Sequence, residues 1–124
     1  MDWRIHLILA LLEEDICRAH TPCELAERMH LSRSRLTHLF KAQTGSSLTQ
    51  YLRGLRLRKA AVLLENTFLS VKETMTAVGI TDLSHFVRDF KRAFGYTPTE
   101  YRKRHLKDGL LKQNLQMSIA KSAN

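Results

Sequence analysis

A chain of 124 residues with 20 Lys and Arg against 12 Asp and Glu has a formal net charge of +8 and a pI near 9.9. That is one domain's length, enough for a modest core, with no room inside it for a second, ligand-sized domain. No apolar run reaches membrane-spanning length and the N-terminal region carries Asp2, Glu13, Glu14 and Asp15 rather than a secretory pattern, so a cytoplasmic protein is expected, and Cys17 and Cys23 are too few for a disulfide framework.

The first predicted helix covers residues 2 to 19, where Ile5, Ile8, Leu9, Leu12, Ile16 and Ala19 form one stripe. Leu7 and Leu11 point nearly the opposite way, as scattered surface apolars or as a contact surface. Thr21, Pro22 and Glu24 supply a cap, an N1 proline and a capping-box acid for a second helix running to about Met29. After His30 and Leu31, Ser32 caps a third helix that turns Leu36, Leu39 and Phe40 inward and ends at Gly45. Ser34, Thr37, His38 and Lys41 then share its outer face. The fourth helix opens with a Ser47 to Gln50 capping box and runs to about Glu65. Its ~19 residues span roughly 28 Å at 1.5 Å per residue. From Glu27 to Glu65 no acid intervenes among Arg28, Arg33, Arg35, Lys41, Arg53, Arg56, Arg58 and Lys59, a one-sided charge distribution that suits an anionic partner.

Ser70 to Val78 forms a fifth helix, and Gly79, Ile80 and Thr81 turn the chain into a sixth capped by Asp82. Leu83, Phe86, Val87, Phe90 and Phe94 line its core face, Ser84, Arg88 and Lys91 lie on another, and Gly95 closes it. The phenylalanines are core residues rather than a base-stacking platform. Thr97 and Pro98 open a seventh helix ending near His105; residues 107–124 read as a basic tail in which Leu110, Leu111 and Leu115 permit a loose helix. Two helices joined by a tight turn make a helix-turn-helix unit, and this chain holds two, over residues 21–44 and 70–94. They are an internal repeat: Thr21 and Glu24 recur as Ser70 and Glu73 at a spacing of 49, whereas Ser34, Phe40, Lys41, Gly45 and Tyr51 recur as Ser84, Phe90, Lys91, Gly95 and Tyr101 at 50. The change of one places an extra residue in the second turn.

The run Gly79, Asp82, Ser84, Phe86, Arg88, Phe90, Lys91, Phe94, Gly95, Thr97, Pro98, Tyr101, Arg102 resembles the C-terminal signature of the AraC/XylS family of bacterial transcription regulators. The string from Tyr51 to Leu64 resembles that family's linker helix. Three positions depart from the family pattern: His30 stands where the first turn often has glycine, Met75 replaces a small residue and Ile80 an aromatic. The resemblance implies an all-α, seven-helix domain over residues 1–106, with two helix-turn-helix subdomains joined by the long fourth helix. It implies double-stranded DNA as partner, transcription control, commonly activation through RNA polymerase, no cofactor, and in larger members a separate effector-binding and dimerising domain.

With DNA as partner, base readers are expected at Ser34, Thr37 and His38 on the third helix and at Ser84, His85 and Arg88 on the sixth. Arg88 leads, because a guanidinium donates two parallel hydrogen bonds to guanine. Ser32, Arg33, Arg35, Lys41, Arg53, Arg56, Lys91, Thr97 and Arg102 are candidates for phosphate contacts. For Arg56, at the family's linker-helix arginine position, packing or an internal ion pair is the structural alternative. Cys17, His20 and Cys23 imitate a metal-ligand series, yet no paired C-x-x-C accompanies them and the Pro22 capping sequence accounts for the local pattern, so no metal is expected. No phosphate-cradling glycine loop, G-x-S-x-G elbow or H-E-x-x-H string occurs, and no catalysis is expected. Two other readings remain: a fold that works by protein contact through Leu7, Leu11 and the tail, and a non-specific nucleic-acid binder.

Overall fold

The computed structural model describes residues 1–106, which form seven helices and no strand. They are α1 (Trp3–Glu14), α2 (Pro22–Arg28), α3 (Arg33–Thr44), α4 (Leu48–Asn66), α5 (Val71–Ala77), α6 (Leu83–Phe94) and α7 (Pro98–His105). Residues divide into two compact units, one up to Arg56 and one from Leu57. The expected tail, residues 107–124, lies outside the described residues.

In the first unit, Ile5, Ile8 and Leu12 of α1 pack with Leu25, Ala26, Leu36, Phe40 and the first turns of α4, Leu48, Leu52 and Leu55. The caps that the sequence predicts start these helices. Ser32 Oγ accepts from the Arg35 amide, and Ser47 and Gln50 exchange both bonds of a capping box. Asp2 caps α1 through the Arg4 amide, and its backbone N–H donates to Gln43 at the far end of α3. Hydrogen bonds from the Arg4 side chain and backbone hold the Asp2 carboxyl down at about 2.

Three expectations for this unit are corrected. The first helix stops at Glu14, short of residue 19, and Ala19 is exposed; the chain beyond Asp15 loops across to α2, with His20 Nε2 hydrogen-bonded to the Asp15 carbonyl. Leu11 is half-buried against the core, so of the two supposedly outward leucines only Leu7 is exposed. Thr21 Oγ1 accepts from the Glu24 amide as expected, but the Glu24 carboxylate turns to the Arg18 guanidinium, so the reciprocal half of that box is given up for an ion pair.

In the second unit, Leu57, Ala60, Ala61 and Leu64 of α4 meet Met75 and Val78 of the α5 region and Phe86 and Phe90 of α6. Ser70 and Glu73 complete a capping box, and the hydrogen bonds from Ser70 hold the Glu73 carboxyl below its usual range. Phe90 is the hub, with ring centroids 5.8 Å from Phe86, 4.6 Å from Phe94 and 5.3 Å from Tyr101. Met75 is buried and Ile80 packs on the same core, so the two departures from the family pattern stay apolar in apolar surroundings. Leu83 is a correction: 45% exposed, it occupies the first position of α6, beyond the edge of the core that its helical angle addresses.

Thr74 is fully buried here, and its hydroxyl oxygen has no hydrogen-bond partner among the described residues. An unpaired buried hydroxyl costs on the order of 1–3 kcal/mol relative to an apolar group of the same shape. Thr74→Val is therefore expected to raise stability by about 1 kcal/mol, read as a higher urea midpoint; a lower midpoint would show that the hydroxyl is hydrogen-bonded in solution.

The two turns have one geometry. In the first, Leu31 N–H donates to the Ala26 carbonyl at 2.9 Å; in the second, Ile80 N–H donates to the Met75 carbonyl at 3.0 Å. Each bond closes over a left-handed residue, His30 (φ 57°) in one and Gly79 (φ 82°) in the other. The extra residue of the second turn falls after this motif, at Thr81, where α6 begins one position later in the repeat. A side chain at positive φ costs about 1–2 kcal/mol, against about 0.5–1 kcal/mol of chain entropy that glycine forfeits on folding. His30 is exposed and packs little, so His30→Gly is expected to stabilise the first unit by about 0.5–1 kcal/mol, measured by denaturant unfolding at constant m-value.

Candidate nucleic-acid interface

Each helix-turn-helix unit presents the outer face of its second helix. On α3, burial of Leu36 and Phe40 leaves Ser34, Thr37 and His38 exposed, together with Arg33, Arg35 and Lys41. An open depression lined by Arg33, Ser34, Thr37, His38, Lys41 and Ala42 runs along this face. It gathers all three predicted base readers of the first unit. Ala42 was not anticipated, although its position four residues beyond His38 puts it one turn further along the same helix.

On α6, burial of Phe86 and Phe90 likewise leaves Ser84, His85, Arg88 and Lys91 exposed. Arg88 is exposed and forms no hydrogen bond or ion pair among the described residues. The helix is held at both ends by its own backbone chemistry: Asp82 accepts from the His85 amide, and Gly95, at φ 84°, caps the C-terminus with its N–H on the Lys91 carbonyl. A short helix fixed this way presents side chains at defined angles, which base reading requires.

The cations sort into two groups. Arg33, Arg35, Lys41, Arg53 and Lys91 are exposed. The first turn of α3 carries no acid, so its free amides, Ser32, Arg33 and Arg35 form one positive region. Arg56 and Arg102 are different, because their guanidinium groups donate to backbone carbonyls within the chain. Arg56 Nε donates to the Ile16 carbonyl at 2.9 Å and its Nη2 to the Arg18 carbonyl at 3.2 Å, tying the loop after α1 to α4. The internal alternative therefore holds for Arg56, though its acceptors are backbone carbonyls rather than an acid. Arg102 Nε donates to the Leu64 carbonyl, near the end of α4, and burial lowers its pKa. Beside it the Tyr101 hydroxyl donates to Glu65, and burial together with the Glu65 charge pushes the phenol up. These two arginines brace helices within their own units. Thr97 is also committed: it caps α7 and its hydroxyl donates to Glu100, an acid standing at that helix start where a phosphate would bind.

Among the described residues no group of three or more His, Cys, Asp and Glu is placed to hold a metal ion, and no helix is long and apolar enough to cross a membrane. Two capped helix-turn-helix units, each exposing a polar and cationic second helix, define a nucleic-acid-binding type of domain. The chain matches the helix-turn-helix domain family over residues 25–104. It is 34% identical over 104 residues to the HTH-type transcriptional activator RhaR of Mannheimia succiniciproducens, covering 84% of this chain and 38% of that relative. The AraC-type DNA-binding regulator structure from Chromobacterium violaceum superposes with a TM-score of 0.77 at 28% identity, covering 85% of this chain and 94% of the other. The DNA-binding domain of AdpA, solved in complex with a target DNA, superposes with a TM-score of 0.76 at 28% identity, covering 82% and 91%. This chain belongs to the AraC/XylS family of helix-turn-helix transcription regulators. It spans less than two fifths of the length of the curated relatives it matches.

Proposed function

We propose that this chain binds a specific double-stranded DNA sequence and regulates transcription as an AraC/XylS-type activator, with α3 and α6 entering successive major grooves. The observation that carries this reading is the duplicated face: in each unit two buried residues, Leu36 and Phe40 or Phe86 and Phe90, leave hydrogen-bonding and cationic side chains exposed on one helix. The 19-residue α4 contributes core residues to each unit. The AdpA domain, solved in complex with a target DNA, supports DNA as the partner.

In this reading Ser34, Thr37, His38, Ser84, His85 and Arg88 face base edges. Ser32, Arg33, Arg35, Lys41, Arg53 and Lys91 sit against phosphates, which position the domain without naming a sequence. The binding domain covers residues 1–106, and the basic residues 107–124 form an accessory tail. RNA polymerase is the proposed protein partner and the bacterial cytoplasm, on the nucleoid, the place of action. Because the relatives are longer, an effector or dimerisation domain joined to this one is part of the proposal.

Selection of bound sequences from a random duplex pool, followed by footprinting, tests the reading. The expected result is one sequence preferred over random duplex by about 10³-fold or more at physiological salt, with two protected patches one helical turn apart. Equal retention of all duplexes overturns it.

A further inference from the structure

Thr37 lies inside the depression on α3, flanked by Arg33, Ser34, His38 and Lys41. Its hydroxyl donates to the Arg33 carbonyl one turn back, at 2.9 Å. With that hydrogen committed to its own helix, the exposed residue offers a partner its γ-methyl and the oxygen's lone pairs, and no donor. Four of the side chains lining that depression are of the opposite kind, while Ala42 also lines it and Thr37 borders a second, more apolar cavity with Pro22, Leu36 and Phe40. Arg33, Ser34, His38 and Lys41 all bring hydrogen-bonding or charged groups. The Thr37 γ-methyl, together with the Ala42 methyl, is therefore the apolar part of a largely polar face.

The major-groove edges of base pairs carry one apolar group, the 5-methyl of thymine. We propose that Thr37 is a methyl reader, its γ-methyl packed on the 5-methyl of a thymine under α3. The inference rests on the reading that α3 enters a major groove, and it adds which base is recognised there and by which atoms.

The test uses the whole 124-residue chain and the duplex selected from the random pool, with each thymine in the α3 half of the footprint replaced in turn by deoxyuridine, which removes only the methyl. Wild-type protein is expected to lose about fourfold in affinity at one such position, the equivalent of ~0.8 kcal/mol for one buried carbon group. Thr37→Val should bind the unmodified site within about twofold of wild type and keep the deoxyuridine sensitivity. Thr37→Ser, which retains the hydroxyl and loses the methyl, should lose about fourfold on the unmodified site and nothing more at the deoxyuridine position. The proposal is overturned if Thr37→Val loses as much as Thr37→Ser, or if Thr37→Ser stays as sensitive as wild type at every position. A pool that yields no preferred sequence overturns the DNA reading and this inference with it, whereas a preferred sequence whose methyl groups are not felt through Thr37 overturns this inference alone.

Discussion

Arg88→Ala is expected to cost about 1–3 kcal/mol of specific DNA affinity, roughly 5- to 150-fold, and to relax the preference at a single base pair. Arg88 projects from the exposed side of α6, three residues after His85 and four after Ser84, while Phe86 and Phe90 anchor the opposite side in the core. Its planar fork can donate two parallel bonds to guanine O6 and N7, which a point charge on a flexible stem cannot imitate. Arg88→Lys should therefore keep the salt dependence and lose the discrimination. Competition binding with the selected site and its single-base variants reads both effects. Uniform weakening on every duplex would instead place Arg88 among the phosphate contacts, since a lost charge lowers all affinities alike and reduces the salt slope by about one. The fold should be indifferent to either variant, because Arg88 is exposed.

Phe90→Ala is expected to have the largest effect on stability, about 3–5 kcal/mol. Phe90 is fully buried and touches Phe86, Phe94 and Tyr101 through its ring, within a core that also includes Leu64, Met75 and Val78. Truncation removes the ring's transfer free energy and leaves a cavity bordered by rigid aromatic and branched side chains that cannot collapse into it. A small domain has on the order of 5–15 kcal/mol in total, so this one side chain decides whether α5, α6 and α7 stay packed. Residue-resolved amide hydrogen exchange checks it: protection should fall in those helices by the full amount and much less in α2 and α3, whose core does not include Phe90. Specific DNA binding should be lost in parallel, with Arg88 and its neighbours no longer held at fixed angles. A loss below about 1 kcal/mol would mean that the second core is not packed around this ring.

Most helix boundaries were legible in the sequence because they rest on short-range chemistry. Thr21, Ser32, Ser47, Ser70, Asp82 and Thr97 each cap a helix with an oxygen that reaches an amide only a few residues away. The matched turns belong to the same class: a left-handed residue and one backbone bond fix them, and the 49-to-50 change in repeat spacing locates the extra residue at Thr81. The two reading faces also follow from local pattern, since the apolar residues of α3 and α6 leave only one way for their polar residues to point.

The remaining features depended on what other segments bring close. Periodicity gives an angle about a helix axis but not the edge of the core that the angle meets, which is why α1 ends at Glu14, Leu11 is half-buried and Leu83 is exposed. Long side chains carry their charged ends several ångströms from the backbone, and the acceptors they find lie far along the chain. Arg56 reaches the Ile16 carbonyl 40 residues away, and Arg102 the Leu64 carbonyl 38 residues away. By itself the sequence determined the family, the helices and the faces turned outward, because amides, caps and apolar stripes act over one or two turns. Only the tertiary structure decided which arginines hydrogen-bond within the chain, because unpaired carbonyls at helix ends and in loops compete for the same guanidinium donors.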